Sequence, residues 1–317
     1  IAGSPLGWIV ACCLLLLCGC SEVPATVTTV IQPQSPQIVF TAETLKVMSL
    51  NIAHGRKDGI NQLFLSGATI RNNLDEIATV LSHSGAAIVA LQEADAPSLW
   101  SGNFDHIALL AEQADYPAVV HTAHARSWLF NYGTAILSKA DFTETLNYTF
   151  EPSPPTLNKG FTLAQIVWQP RGQDQAPVLL DIVSVHLDFS RKQIRERQIR
   201  EITQALEGRD NPLIILGDFN SDWMSDELVV RALANNNGLI GYRPTADDLG
   251  TYQSGNKRLD WILISETLEF ISYEVLPDVL SDHKAVLAEI GLRVRPQPIA
   301  AGMNQRVTRH TAADTGK

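Results

Sequence analysis

Cysteine stops at residue 20. The chain has four, Cys12, Cys13, Cys18 and Cys20, and none follows. The rest of the sequence therefore holds no disulfide, no thiol nucleophile and no thiolate zinc site. Excess positive charge is missing too: 24 Lys and Arg face 34 Asp and Glu, a net charge of −10 at pH 7. Phosphate affinity rests on Lys and Arg, so a chain this acidic is a poor general nucleic-acid binder, with a local basic groove still open to it. There is no G-x-S-x-G elbow, no H-E-x-x-H, no Walker A loop and no G-x-G-x-x-G after a strand, which removes the commonest competing catalytic motifs.

Residues 1–20 contain no charged side chain. Their run WIVACCLLLLCGC is shorter than the roughly 20 apolar residues a membrane-spanning helix needs, and it fits the apolar region of an export signal. The ending Leu17-Cys18-Gly19-Cys20 resembles a bacterial lipobox. It makes Cys20 the expected lipidated first residue of a mature, exported lipoprotein on the periplasmic or extracellular side; a plain anchor or a secreted protein is the alternative. Residues 21–44, rich in Pro, Thr, Gln and Ser, read as a flexible tether. Residues 295–317 read as a loose tail. Residues 45–294 are left as one domain of a monomer, long enough to bury a sizeable core.

Within that domain, apolar runs alternate with helical patterns. Strands are expected over 45–52, 86–93, 133–139, 160–168, 177–188, 212–218, 259–265 and 285–294. Helices are expected over 70–82, 105–115 with Asp105 as N-cap, 191–207 with Ser190 as cap, and near 225–236. Asn51, Glu93, His186 and Asp218 fall at or near the C-terminal ends of their runs, whereas Asp260 starts its run and Asp282-His283 precede theirs. For these groups to meet at one edge, the last two strands must run against the others, which predicts mixed sheets in an α/β or α+β layering. In LIILGDFNSDW, strand alternation puts Asp218 and Asn220 on one side and Phe219 on the other.

Taken singly, each polar residue has an ordinary explanation: a turn cap for Asn51, a solvated strand end for Glu93, a satisfied core histidine for His186, loop caps for Asp260 and Asp282. Together they form a set of Asn, Asp, Glu and His at strand ends, and such oxygen donors suit hard divalent cations. In order along the chain, MSLNIAHGR, IVALQEAD, YGTAILSK, VSVHLD, RERQ, GDFNSD, LDWIL and SDHKAV resemble the motifs of the endonuclease/exonuclease/phosphatase family, which includes DNase I-like nucleases and neutral sphingomyelinases. The resemblance runs from about residue 45 to 292. It implies a four-layer sandwich of two mixed β-sheets packed face to face and flanked by helices, and metal-assisted hydrolysis of a phosphate ester. Carried over residue by residue, it implies Mg²⁺, with Mn²⁺ as a substitute, at Glu93 with Asn51 and Asp282. It further implies a catalytic set of His186, Asp218, Asn220, Asp260 and His283. Asp218 or His283 is the expected general base, with Asn220 positioning the water. Thr134 stands where the family motif usually has Asn.

The substrate stays open among a lipid head group, another small phosphodiester or phosphomonoester, and nucleic acid. A silent binding lipoprotein on the same fold is the reading from a different class. SRKQIRERQIR, with Arg191, Lys192, Arg195, Arg197 and Arg200, offers either a basic groove or, with Glu196 and Glu201 interspersed, a solvated helix face. Trp100 and Phe104 beside Glu93 offer either a stacking surface or plain packing.

Overall fold

In the stretch LKVMSLN, Leu45 and Val47 join one apolar cluster while Met48 and Leu50 join another. A strand covered on both faces requires layers on both sides. The computed structural model, which describes residues 27–33, 38–171, 176–254 and 256–293, has those layers. The expected signal peptide and C-terminal tail lie outside the described residues.

Among the described residues, fourteen strands and four α-helices follow in chain order: β1 Val27–Ile31, β2 Phe40–Thr41, β3 Leu45–Asn51, α1 Gly67–Ser84, β4 Ile88–Asp95, α2 His106–Gln113, β5 Ala118–Arg126, β6 Asn131–Ser138, β7 Phe142–Thr149, β8 Gly160–Gln169, β9 Val178–His186, α3 Lys192–Ala205, β10 Leu213–Asp218, α4 Val229–Asn236, β11 Leu239–Gly241, β12 Asp260–Ser265, β13 Leu268–Val275 and β14 Val286–Leu292. One seven-stranded sheet has the order β1-β5-β6-β4-β3-β14-β13. The other runs β11-β12-β10-β9-β8-β2, with β7 also paired to β8. Both are mixed: β3 and β4 are parallel, as are β9 and β10, whereas β12 and β14 run antiparallel to β10 and β3. The reversal expected for the last two motif-bearing strands is present.

Between the sheets, Leu45, Val47, Ile88 and Ala90 meet Ile182, Ile214, Leu216 and Ile262. Outside the first sheet, Met48, Leu50 and Leu91 pack on Ile70, Leu74 and Ile77 of α1. Outside the second, Val183, Val185 and Ile215 pack on Ile199 and Ile202 of α3 and Leu233 of α4. The result is the four-layer α+β sandwich.

The expected tether departs from expectation over part of its length. Val27–Ile31 pairs antiparallel with β5, and Phe40–Thr41 pairs parallel with β8. The β-branched residues of VTTVI suit an edge strand, and β5 and β8 leave backbone groups for them to pair with. Ser190 does not cap α3 in the expected way. Asp188 Oδ1 instead accepts from the backbone N–H groups of Ser190 and Arg191 and from the Ser190 hydroxyl. Asp105 does cap α2, accepting from Ala108 N–H at 2.9 Å.

The site's position follows from strand parity. Asn51 continues the inner-facing series 45, 47, 49 on β3; His186 continues 180, 182, 184 on β9; Asp218 continues 214, 216 on β10; Asp260 begins the series 260, 262, 264 on β12. The inter-sheet face is apolar along most of its length and turns polar at one edge. Gly217 lets β9 and β10 close there: a Cβ at this position would run into the carbonyl oxygen of Val185. Gly217→Ala should therefore destabilise the fold by about 3 kcal/mol or more in chemical denaturation; a shift of a few tenths would show the strand edge to be freer to move than the packing implies.

Candidate functional site

Asp218 is the hub. It is buried at the end of β10, and its Oδ2 accepts from Asn51 Nδ2 at 3.0 Å. The Nε2 atoms of His186 and His283 lie 3.4 and 3.8 Å from the same oxygen. Asn51 is itself fixed by Ala53 N–H, which donates to its Oδ1. His283 donates from Nδ1 to Asp260 Oδ2 at 2.8 Å, and Thr251 donates its hydroxyl to that oxygen at 2.6 Å. This fixes the His283 tautomer, so that Nε2 faces Asp218.

The charges are set by these contacts. Burial works against a charged His283, but Asp260 and Asp218 outweigh it and lift its pKa to about 10. Burial lifts Asp218 to about 6, with His283 opposing and Asp260 adding to the rise. His186 is pushed well below the usual histidine range by burial and by Lys159.

Asn220 departs from the expected alternation. The strand ends at Asp218, and Asn220 has φ +49° in a turn. Its backbone N–H donates to Asp218 Oδ1 at 2.9 Å and its Nδ2 to the Leu187 carbonyl at 3.0 Å. It is brought to Asp218 by this Asx-type turn, not by strand geometry.

Glu93 sits at a bulge in β4, with φ +50° between Gln92 and Ala94. Gln92 stays on the inner face, donating to Ser184 Oγ across the sheets. The bulge turns Glu93 toward the cleft. There its carboxylate meets His54 Nε2 at 3.3 Å, Lys159 Nζ at 3.6 Å and His186 Nε2 at 3.9 Å. Burial opposes its ionisation, but His54, Lys159 and the two site histidines more than offset that and hold it well below the usual carboxylate range. Asp282 lies on the rim, paired with Arg56 at 2.7 Å.

His54, Asp95 and Lys159 join the site, and sequence reasoning passed over all three. His54 donates to Asp95 Oδ2 at 2.8 Å while its other nitrogen faces Glu93. Burial alone would keep it neutral, but Asp95 and Glu93 raise its pKa. Lys159 lies 2.9 Å from His186 Nε2 as well as beside Glu93. The signals were present but faint: His54 stands three residues after Asn51, and Lys159 immediately precedes the glycine that opens β8. Tyr252 is brought to His283 by a backbone bridge, their rings 5.1 Å apart.

Other basic residues are placed elsewhere. Arg258 stacks on Trp261 at 3.8 Å and donates to the Tyr242 carbonyl, so it serves packing. Arg195 is buried on Glu227, Arg197 pairs with Glu151 and Glu201, and Lys192 with Glu196. The basic helix thus spends most of its charge within the protein. Thr134 takes part in a buried hydroxyl ladder, bonded to Thr162 at 2.8 Å and to His124 at 2.9 Å.

A hard divalent cation requires oxygen donors, and Glu93, Asn51 and Asp282 are of that kind. In this structure the Glu93 carboxylate faces His54, Lys159 and His186, Asp282 is paired with Arg56 and Asn51 Oδ1 accepts from Ala53 N–H, so a cation at Glu93 would have to take the place of those partners. Asp218, Asp260 and His283 also bring ligand atoms within 4.8 Å of one another. The Asp260 oxygen is already shared by His283 and Thr251, however, and His283 is held charged, which favours a hydrogen-bonded dyad over ligation.

Residues 48–283, well over half of the chain, match the profile of the Endonuclease/Exonuclease/phosphatase family. No functionally curated protein matches the sequence. Among solved structures, the chain is similar to an endonuclease/exonuclease/phosphatase family protein from Leptotrichia buccalis, with 17% identity and a TM-score of 0.60 over 78% of this chain and 100% of that one. It is similar to a mannosyl-6-phosphatase from Bacteroides thetaiotaomicron, with 16% identity and a TM-score of 0.57 over 78% and 99% of the two chains. The human Nocturnin catalytic domain gives 15% identity and a TM-score of 0.58 over 84% and 98%. At such identities the structural likeness speaks to the two-sheet fold, while the sequence profile spans every motif from β3 to the edge of β14. The chain belongs to the endonuclease/exonuclease/phosphatase family.

Proposed function

We propose that the protein is a divalent-metal-dependent phosphoesterase that hydrolyses phosphodiester or phosphomonoester bonds outside the cytoplasm, held to a membrane through lipidated Cys20. The observation that carries the hydrolase reading is the environment of Asp218: a buried carboxylate with its pKa raised to about 6, bonded to Asn51 and flanked by His186 and His283. A group ionised at neutral pH yet more basic than a free carboxylate suits proton removal from water.

Asp218 takes the proton of the attacking water, and Asn220 holds the turn behind it and positions that water. His283, kept charged by Asp260, faces the charge that grows on the phosphoryl oxygens, and His186 and Lys159 contact the phosphate. Glu93, with Asn51 and Asp282, would hold Mg²⁺ or Mn²⁺, which supplies neutralisation of phosphate charge when bound. The commitment of the basic helix to internal ion pairs favours small or lipid phosphoesters over DNA.

The test is a substrate panel: bis(4-nitrophenyl) phosphate, a sugar phosphomonoester, phospholipid and plasmid DNA, each with Mg²⁺, Mn²⁺ or EDTA. The monoester belongs there because one structural neighbour is a mannosyl-6-phosphatase. Metal-dependent turnover of a phosphoester, lost with EDTA and in Glu93→Ala, is expected. DNA nicking at modest salt would reverse the substrate order, and silence across the panel would leave a binding protein.

A further inference from the structure

Three loops at the site edge carry no charge: residues 59–66 (GINQLFLS), 96–104 (APSLWSGNF) and 127–131 (SWLFN). In a chain of net charge −10 this is an unusual stretch of surface. Their tips are apolar and protrude: Ile60 is 97% exposed, Trp128 84% and Phe64 83%, with Leu63 and Leu99 also exposed.

The loops form one surface. A Cβ on Gly102 would lie 2.8 Å from Gly67 Cα, so the second loop rests on the end of the first. Trp100 N–H donates to the Leu129 carbonyl at 3.0 Å, and Ala96 N–H to the Asn131 carbonyl at 2.8 Å, which joins the second loop to the third. The surface is continuous with the cleft, because Trp100 and Tyr132 pack their rings 5.5 and 4.6 Å from the His54 ring, and His54 touches Glu93.

We propose that this uncharged platform docks on a lipid bilayer and brings the cleft down onto phosphoester head groups of membrane lipids. The docking rests on the loops alone; the substrate class rests also on the phosphoesterase reading. Burying a charge in a membrane interface is costly, and these loops have none to bury. Trp and Phe are the side chains that settle at head-group depth. The apolar groups stand out on separate tips, a shape that a deformable bilayer accepts without a complementary relief. Arg71 stacks on Phe104 and exposed Arg126 precedes the third loop, but the protruding tips carry no cation, so the attraction is apolar and should survive about 0.5 M NaCl, where exposed charge pairs are screened.

The test uses residues 21–317, which leave out Cys20 with its acyl chain and the apolar segment before it and keep every described residue, and vesicles of phosphatidylcholine with brominated acyl chains. Trp128 fluorescence, taken as the difference between this chain and its Trp128→Phe variant, should be quenched by the bromine and become less accessible to aqueous iodide. Phe64→Ser and Trp128→Ser should each weaken vesicle partition by about tenfold. They should lower hydrolysis of vesicle phospholipid while leaving soluble bis(4-nitrophenyl) phosphate turnover unchanged. Unquenched Trp128, partition abolished by salt, or a dimer in sedimentation that dissociates in Trp128→Ser would each overturn the docking. Quenching without hydrolysis of any phosphoester would overturn the phosphoesterase reading and leave the docking intact.

Discussion

Replacing Asp218 by asparagine is expected to lower kcat by about 10²–10⁴-fold with little change in KM. The substitution keeps the shape. The two hydrogen bonds that fix the carboxylate go to different oxygens, from Asn51 Nδ2 to Oδ2 and from the Asn220 backbone N–H to Oδ1, so the amide keeps one of them and turns its NH2 toward the other donor. What disappears is the proton acceptor and the negative charge between His186 and His283. Burial is the main cause of the raised pKa, with His283 opposing it and Asp260 adding to it, so loss of the buried charge offsets part of the lost hydrogen bond and the variant should stay folded, checked by its thermal melt. A catalytic loss in a folded protein separates chemistry from folding. A KM effect alone would make Asp218 a binding group and not the base.

The same residue marks how far sequence reasoning reaches. Asp218 was legible because it closes an apolar run on the inward parity of its strand, and Asn51, His186 and Asp260 obey the same rule on theirs. Strand ends that turn polar on the buried side have no reason to do so unless the groups meet. The direction of β12 and β14 followed from the same argument. Asn220 was found in sequence but for an incomplete reason, since the turn and not the strand delivers it. His54, Asp95 and Lys159 were not legible. Their proximity is produced by the bulge at Glu93 and by the packing of β8 across the cleft, and neither leaves a periodic trace. Strands β7 and β13 escaped notice because neither FTETLNYT nor LEFISYEV holds the continuous apolar run that marks the buried strands, and most of their residues are exposed or half-buried. Strand β5 escaped because His121 and His124 interrupt its apolar pattern.

Those interruptions carry the second large expectation: the melting temperature should fall steeply as pH drops from 6.5 toward 4. His124 is sealed between the sheets, its ring nitrogens each 2.9 Å from a hydroxyl, Thr149 on one side and Thr134 on the other. Gly160 leaves the space the ring occupies; a Cβ there would overlap it. Burial, with His121 and Lys159 adding repulsion, pushes its pKa down from 6.5 to about 3. His106 and His121, also buried, are pushed down as well, chiefly by burial. The unfolded chain takes up these protons near pH 6.5 and the folded chain only far below it. Stability is therefore complete above 6.5 and is lost progressively as pH falls through the window down to about 3 for His124. At about 1.4 kcal/mol per pH unit, His124 alone can remove about 3 kcal/mol or more, a large part of a typical stability of about 5–15 kcal/mol. His54 and His283 do not counter this: their pKa values are raised, so their stabilisation is already complete below 6.5 and is lost only on the alkaline side. Asp218 does counter it: raised to about 6, it takes up its proton in the folded chain first and adds stability as pH falls toward its ordinary 3.8, one carboxyl against four histidines held down by burial, His106, His121, His124 and His186. Glu93, held low, adds its own loss only below its ordinary pKa of 4.5. Thermal melts across this range should show the slope, and His124→Gln, which can still bond to hydroxyls but cannot titrate, should flatten it by about one proton's worth. An unchanged slope in that variant would move the acid sensitivity to His106, His121 and His186, and a flat wild-type profile would mean that the inter-sheet ring can be protonated without opening the sandwich.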